Sequence, residues 1–290
     1  MTRTVTAATA REELDAATAA LARGGVETPR ADAEWLLADV LGVGRAALGL
    51  ALDAPLAAEA ARRYGAAVCR RAAREPLQQI LGWEAFRGIR LRVTPEVLVP
   101  RPETEILVDV ALALVGNAPR PRSLRVVDVG TGSGAIACAI AAERAARVLA
   151  IDRSPAAAAV ARDNVRALAL ESRVSVVVGD LLDPVAVRAD LIVSNPPYLT
   201  TAMLRALPPE VARHEPRGAV DGGADGLDVI RPLVAAAPAR LAPGGAIALE
   251  TAGGPQAARV AGLLREAGFV EVVVRADLVG VQRFVTGRML

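Results

Sequence analysis

The sequence predicts an α/β protein in which a small helical domain precedes a doubly wound, mostly parallel sheet. Its 290 residues are enough for roughly two domains at about 150 residues each. From residue 104 onward, short apolar runs alternate with stretches of helical periodicity, which is typical of parallel strands joined by helical crossovers. We therefore expect a helical domain over residues 1–78, a β-hairpin linker over 79–103 and the sheet domain over 104–290.

Composition excludes several classes of protein. Hydrophobic residues make up 53% of the chain and charged residues 23%, which is unlike a disordered protein. No apolar run approaches the ~20 residues that span a bilayer, and the N-terminus lacks a signal-peptide pattern. We therefore expect a cytoplasmic monomer that does not bind a membrane. We also expect no metal site, because two cysteines and one histidine make poor metal sites.

The basic residues give little support for nucleic-acid binding. All 34 are arginines, and the net charge is only +2, whereas nucleic-acid binders usually show a clustered basic face. The densest cluster is Arg70, Arg71 and Arg74, and we expect it to form a solvated helix face. No direct contact with nucleic acid is expected.

The helical domain and the linker differ in their pattern of apolar and polar residues. Apolar residues recur at helical spacing through residues 17–21 and 35–41, with breaks at Gly24-Gly25, so residues 8–75 predict four or five short helices. The segment Ile89–Val93 instead alternates apolar and polar residues, as a half-buried strand does. Residues 79–100 therefore predict a short β-hairpin.

The remaining elements follow one another in alternation. The predicted helices are Glu105–Val115, Ala135–Arg144, Pro155–Leu168, Gly226–Leu241 and Pro255–Ala267. The predicted strands are Arg125–Val129, Arg147–Asp152, Val174–Gly179, Leu191–Ser194, Ala246–Glu250, Val270–Arg275 and Val281–Val285. Ligands of such sheets bind at the carboxyl ends of the strands.

A glycine-rich loop after the first of these strands predicts a nucleotide-type site. Its residues are Asp128, Val129, Gly130, Thr131, Gly132, Ser133 and Gly134. Glycines allow a sharp turn and close approach of a ligand, and the helix that follows offers free N–H groups. Because Gly130, Gly132 and Ala135 also fit the dinucleotide pattern, S-adenosylmethionine, NAD and a plain tight turn all stay open. Asp128 favours the methyl donor, since a carboxylate there suits an amino group and repels a pyrophosphate.

Acidic residues follow the next two strands. Asp152 can accept both ribose hydroxyls of either cofactor, so it does not discriminate between them. Asp180 is placed to accept a hydrogen bond from an adenine amino group, although a helix cap is an equal alternative, and Leu181 would pack on the ring. The predicted donor-binding residues are Asp128, Gly130, Thr131, Gly132, Ser133, Gly134, Asp152, Asp180, Leu181 and Asn195.

The decisive motif is Asn195-Pro196-Pro197-Tyr198, at the end of the fourth strand of the sheet domain. Two prolines stiffen the loop and leave bare carbonyls. The Asn195 side-chain oxygen and the Pro196 carbonyl can then accept both N–H bonds of a planar amino group, with Tyr198 over its face. Such positioning contributes several kcal/mol to a transfer reaction. We predict Asn195, Pro196 and Tyr198 as catalytic residues, and a rigid structural turn is the alternative.

The motif resembles that of methyltransferases acting on planar nitrogens, and three further segments narrow the resemblance. Gln79–Gly88, Leu98–Glu105 and Glu215–Leu227 are similar to segments of the bacterial HemK/PrmC family, the glutamine methyltransferases of peptide chain release factors. The resemblance implies a Rossmann-like class I methyltransferase domain and methylation of the glutamine N5 in a Gly-Gly-Gln motif, supporting translation termination. It also implies S-adenosyl-L-methionine as donor and a helical domain that recognises the release factor.

The resemblance leaves some residues and substrates open. It implies substrate binding by Asn195, Pro196, Pro197, Tyr198, Arg101 and Glu103, whereas interdomain salt bridges equally explain the last two. Glu105 is expected to line the donor pocket or cap a helix. Leu181 stands where some family members carry an aromatic residue. The alternatives are a ribosomal-protein glutamine methyltransferase, a nucleic-acid adenine methyltransferase and a non-catalytic module that senses the donor.

Overall fold

A computed structural model describes residues 8–116 and 123–290 and divides the chain into two compact units. The helical unit takes in the chain up to Gly82 together with Pro208–His214. The sheet unit consists of Trp83–Leu207 and Glu215–Leu290.

The helices are α1 (Ala10–Arg23), α2 (Pro29–Leu41), α3 (Ala58–Ala72), α4 (Leu77–Leu81), α5 (Pro102–Val115), α6 (Ala135–Glu143), α7 (Pro155–Ala167), α8 (Thr201–Leu204), α9 (Pro209–His214), α10 (Ile230–Arg240) and α11 (Pro255–Glu266). Short 3₁₀ helices span Arg45–Ala51 and Arg217–Ala219. The strands are β1 (Trp83–Phe86), β2 (Ile89–Arg92), β3 (Leu124–Val129), β4 (Ala146–Asp152), β5 (Val174–Val178), β6 (Ala189–Ser194), β7 (Leu241–Glu250), β8 (Val270–Ala276) and β9 (Gln282–Arg288).

The helical unit is built as its sequence pattern predicts. Helix α1 begins at a capping box, in which the Thr9 hydroxyl accepts a bond from the Glu12 N–H and the Glu12 carboxylate accepts from the Thr9 N–H. The core contains leucines at helical spacing and one fully buried tyrosine, Tyr64, whose hydroxyl donates to the Ala33 carbonyl. A buried hydroxyl needs such a partner, since an unpaired polar group in the core is costly.

The expected solvated arginine face is wrong for two of its three members. Arg71 is 7% exposed, and its guanidinium donates to Asp32 at 2.7 Å and to Glu210 at 3.0 Å. Arg74 donates to the same Glu210 at 2.6 Å. Burial opposes ionisation of Glu210, but the hydrogen bonds from Arg74 and Arg71 outweigh it and lower its pKa to about 2. These ion pairs hold α9 in the helical unit, which the predicted boundary at residue 78 does not include.

The sheet unit contains seven strands in the order β5-β4-β3-β6-β7-β9-β8. The first five are parallel, and β9 runs antiparallel to both β7 and β8. This confirms the doubly wound, mostly parallel sheet. All six residues of β6 are buried, as expected for a central strand covered by helices on both faces.

The linker hairpin is shorter than predicted. Its strands pair Trp83 with Arg92 and Phe86 with Ile89, while residues 77–81 form α4 and not a strand. The helix ends at Gly82, whose φ of 78° is easily reached only without a Cβ. Of the two roles expected for Glu105, the place in a donor pocket is not found, because Glu105 is not among the residues that line the cavity described below. Its carboxylate instead accepts the Arg87 N–H of the hairpin turn at 2.7 Å.

Candidate active site

The glycine-rich loop between β3 and α6 requires its glycines for two different reasons. Gly130, Gly132 and Gly134 have φ values of 71°, 54° and 82°, which side chains rarely adopt. A Cβ added at Gly130 or Gly132 would meet no atom within 4 Å, so that face of the loop is open to a ligand. A Cβ at Gly134 would lie 3.3 Å from the Ala161 Cβ, so this glycine serves helix packing.

The buried Asp128 side chain stabilises the glycine-rich loop through hydrogen bonds. Its side chain is fully buried, and Oδ2 accepts bonds from the Thr131 hydroxyl at 2.6 Å and the Ala137 N–H at 3.1 Å. Burial raises its pKa to about 7. Within the described residues, Oδ1 of Asp128 has no hydrogen-bond partner. The geometry therefore gives Asp128 a structural role in the loop, and its contact with a donor amino group stays a prediction.

Acidic and apolar residues from the neighbouring strands complete one wall of a cavity of about 420 Å³. The Asp152 carboxylate ends β4 and accepts the Gly132 N–H at 2.8 Å and the Ser154 N–H at 2.9 Å. Each of its oxygens retains a further lone pair for a ligand hydroxyl. Asp180 is exposed and lines the same cavity, next to Leu181.

The Asn-Pro-Pro-Tyr loop follows β6 and lies beside the glycine-rich loop because β6 pairs with β3. The Ser194 hydroxyl donates to the Val129 carbonyl at 2.6 Å, which joins the ends of the two strands. Asn195, Pro196 and Pro197 line the cavity. Tyr198 does not; its ring packs against the core and its hydroxyl donates to Glu250 at 3.3 Å.

The glycine-rich segment 222–226 packs against the Asn-Pro-Pro-Tyr loop. A Cβ at Gly222 would lie 2.8 Å from the Pro197 carbonyl oxygen, and one at Gly226 would lie 2.3 Å from that of Tyr198. The Gln256 amide donates to the Tyr198 carbonyl at 2.8 Å. Only glycine permits such close approach, so the spacing of these glycines follows from the loop they contact.

The cavity gathers part of the predicted site. The predicted residues that line it are Gly130, Gly132, Asp152, Asp180, Leu181, Asn195, Pro196 and Pro197. The predicted residues outside its lining are Asp128, Thr131, Ser133, Gly134, Tyr198, Arg101 and Glu103. Lining residues that sequence reasoning missed include Glu96, Leu98, Arg153, Pro216, Val229 and Pro232. Leu98 and Pro216 lie in segments that carried the family resemblance, and this was the available signal for them.

Arg101 forms an ion pair within the sheet unit. Its guanidinium donates to both oxygens of Glu215, at 2.7 and 2.8 Å, and the Val99 N–H reaches the same carboxylate at 3.3 Å. Burial raises the pKa of Glu215, against the effect of Arg101. Both partners belong to one unit, so this is not an interdomain salt bridge. Substrate binding by Arg101 and Glu103 stays a prediction.

The fold is that of a class I methyltransferase, and comparison with known proteins agrees. Residues 107–206 match the family model described as the methyltransferase small domain, and residues 12–82 match the PrmC N-terminal domain. A methyltransferase structure from Pyrococcus furiosus shares the fold, with a TM-score of 0.52, 20% identity, and coverage of 69% of this chain and 89% of that one.

Curated relatives identify the family. A release factor glutamine methyltransferase from Geobacter sulfurreducens is 44% identical over 97% of both chains. One of the same name from Deinococcus radiodurans is 46% identical over 96% of this chain and 98% of its own. The chain belongs to the release factor glutamine methyltransferase family. In the described residues, the structure contains no helix that is both long and apolar enough to span a membrane.

Proposed function

We propose that this protein transfers a methyl group from S-adenosyl-L-methionine to the side-chain N5 of the glutamine in the Gly-Gly-Gln motif of peptide chain release factors. The observation that carries the proposal is the meeting of two loops in one cavity, with Gly130, Gly132 and Asp152 on one wall and Asn195 and Pro196 on the other. The printed names of the full-length relatives support the choice of substrate.

The residues of the first wall fit the methyl donor. The open faces of Gly130 and Gly132 allow a ligand to approach the backbone, Asp152 retains acceptors for ribose hydroxyls, and Asp180 offers one for an adenine amino group. Leu181 supplies an apolar side chain beside them. When bound, S-adenosyl-L-methionine supplies an electrophilic methyl group on a sulfonium, and S-adenosyl-L-homocysteine is the product.

The second wall holds the acceptor nitrogen. The Asn195 Oδ1 and the Pro196 carbonyl accept the two N–H bonds of the glutamine amide and keep its nitrogen directed at the methyl carbon. Fixed acceptors at this point stabilise the positive charge that develops on nitrogen as the new nitrogen–carbon bond forms and the carbon–sulfur bond breaks. The alkylated nitrogen then loses one proton to water, so these residues need no dedicated base.

The helical unit supplies recognition of the release factor in this proposal. A single glutamine amide offers few contacts, so binding energy from remote surface must orient it. The match of residues 12–82 to the PrmC N-terminal domain supports this division of labour. A short Gly-Gly-Gln peptide should accordingly show a much lower kcat/KM than an intact release factor, and equal values would contradict the recognition role.

Labelled donor tests the substrate. Purified protein is incubated with an intact release factor, with the same factor carrying alanine in place of the Gly-Gly-Gln glutamine, and with ribosomal RNA. We expect label in the first alone. Label in the RNA alone would favour an adenine methyltransferase, and label in none of them, with the donor bound, would favour a donor-sensing module.

A further inference from the structure

A chain of hydrogen bonds connects the Asn-Pro-Pro-Tyr loop to the Glu250 carboxylate, which the reaction proposed above does not use. The Asn195 Nδ2 donates to the Thr104 Oγ1 at 2.9 Å, and that hydroxyl donates to the Glu250 Oε2 at 2.9 Å. The second oxygen of Glu250 accepts the Tyr198 hydroxyl at 3.3 Å. One carboxylate therefore contacts both ends of the Asn195–Tyr198 loop, directly at Tyr198 and through Thr104 at Asn195.

Burial of the Glu250 carboxylate carries a free-energy cost. Glu250 is 1% exposed and Thr104 is 5% exposed. A buried carboxylate costs several kcal/mol unless its partners compensate, and an apolar residue of similar size would pack at less cost. The position at the end of β7, next to the loop that holds the substrate nitrogen, points to a role beyond packing.

The hydrogens available for these hydrogen bonds fix the orientation of the Asn195 side-chain amide. An ionised carboxylate only accepts, so the single hydrogen of the Thr104 hydroxyl must go to Glu250. The Thr104 oxygen can then only accept from Asn195, which requires the NH₂ end of the amide. Oδ1 is left as the outward end of the side chain, and within the described residues it has no hydrogen-bond donor.

We propose that Glu250 and Thr104 are positioning residues that fix the orientation of the Asn195 amide, with Oδ1 toward the substrate nitrogen. The inference rests on the proposed function, because it assigns Oδ1 the task of accepting an N–H bond from the glutamine amide. With the amide reversed, its NH₂ would face the NH₂ of the substrate, and donor would oppose donor.

The protonation state of Glu250 controls this direction. A protonated Glu250 can donate to Thr104, whose hydrogen is then free to bond Asn195 and reverse the amide. Burial raises the pKa of Glu250 to about 7, against the bonds from Thr104 and Tyr198 and the charge of Arg283 on β9. Glu103 on α5 raises it further, and Arg283 is itself paired with Asp277 at 2.7 Å.

Two variants of Thr104 and a control test the proposal on an intact release factor as substrate. Thr104→Val keeps the shape and removes the hydroxyl, and Thr104→Ser keeps the hydroxyl. The control, Thr286→Val, removes a buried hydroxyl from β9 that donates to the Val273 carbonyl at 3.4 Å. Single-turnover rate, donor affinity by calorimetry and Tm are measured for each.

We expect Thr104→Val to lower the single-turnover rate on the order of 10²-fold, as misplacement of a reacting group does. Its donor affinity should match that of the wild type, and its Tm should be lower than that of Thr286→Val because buried Glu250 loses a compensating hydrogen bond. Thr104→Ser should restore most of the rate. A Thr104→Val enzyme as fast as the wild type, or a loss that serine does not rescue, would overturn the proposal. If instead the wild type fails to methylate the release factor, the proposed function itself fails.

The pH dependence gives a readout that a purely structural role would not affect. The wild-type single-turnover rate should fall as the pH drops through about 7, while Glu250 takes up a proton. Glu250→Gln removes the titrating group, so this variant should be slower and should lose the step in the pH profile. A Glu250→Gln enzyme that keeps the wild-type step would refute the role of this carboxylate.

Discussion

Replacement of Glu210 by glutamine should destabilise the helical unit. The Glu210 carboxylate accepts bonds from Arg71 and Arg74, and its side chain is 17% exposed. The pKa falls from an ordinary 4.5 to about 2, which corresponds to about 3 kcal/mol at ~1.4 kcal/mol per pKa unit.

The sign of the pH dependence follows from the lowered pKa. Ionised Glu210 contributes its full stabilisation above the unfolded-state pKa of 4.5, and the contribution is lost as the pH falls toward 2. The wild type should therefore exceed Glu210→Gln by about 3 kcal/mol near pH 7 and by only about 1.4 kcal/mol near pH 3.

Urea unfolding followed by tryptophan fluorescence measures this difference. The chain has two tryptophans, and Trp83→Phe leaves Trp35 on α2 as a reporter of the helical unit. Glu59→Gln is the matched control, because Glu59 pairs with Arg62 on the exposed face of α3 and should cost less than about 1 kcal/mol. Equal losses in the two variants, or a Glu210→Gln deficit that does not shrink in acid, would show that the ionised Glu210 does not stabilise the helical unit.

Three further substitutions test the site. Asn195→Ala should lower the single-turnover rate ~10²–10³-fold and leave donor affinity by calorimetry nearly unchanged, because it removes one fixed acceptor; near-normal turnover would contradict its role. Asp152→Ala should weaken donor binding, because the carboxylate offers acceptors to the ribose hydroxyls; unchanged calorimetric affinity would show that the donor is misplaced. Gly226→Ala should reduce both Tm and activity, since its Cβ would lie 2.3 Å from the Tyr198 carbonyl oxygen. Gly262→Ala on α11 is the control: its Cβ meets no atom within 4 Å, so it should raise stability by ~0.5–1 kcal/mol.

The parallel strands were the most predictable part of the fold. Buried strands such as β6 are continuous apolar runs, and glycines or prolines mark their ends. Boundaries failed where tertiary contacts decide them. The helix predicted from Gly226 begins at Ile230 because Gly226 has a φ of 75° and packs against the Tyr198 carbonyl. Helices α8 and α9 are too short to show a periodic pattern.

The candidate site was predictable where a motif lies on one loop and not where contacts join distant residues. The Asn-Pro-Pro-Tyr loop and the open glycines carry their own chemical signal. Thr104 and Glu250 are 146 residues apart, and although Thr104 lies in a segment that carried the family resemblance, no local spacing connects it with Glu250. Glu210 is likewise 139 residues from Arg71, so no local pattern reveals their ion pair. Such pairs are set by the path of the chain in three dimensions.

The location of the transferred methyl group tests the proposed function most directly. A release factor is incubated with the protein and S-adenosyl-L-methionine, digested and sequenced by tandem mass spectrometry, with the Asn195→Ala variant as the control. We expect one methyl group on the side-chain nitrogen of the Gly-Gly-Gln glutamine with the wild type and almost none with the variant. A methyl group on any other residue, or an unmodified glutamine after complete donor turnover, would contradict it.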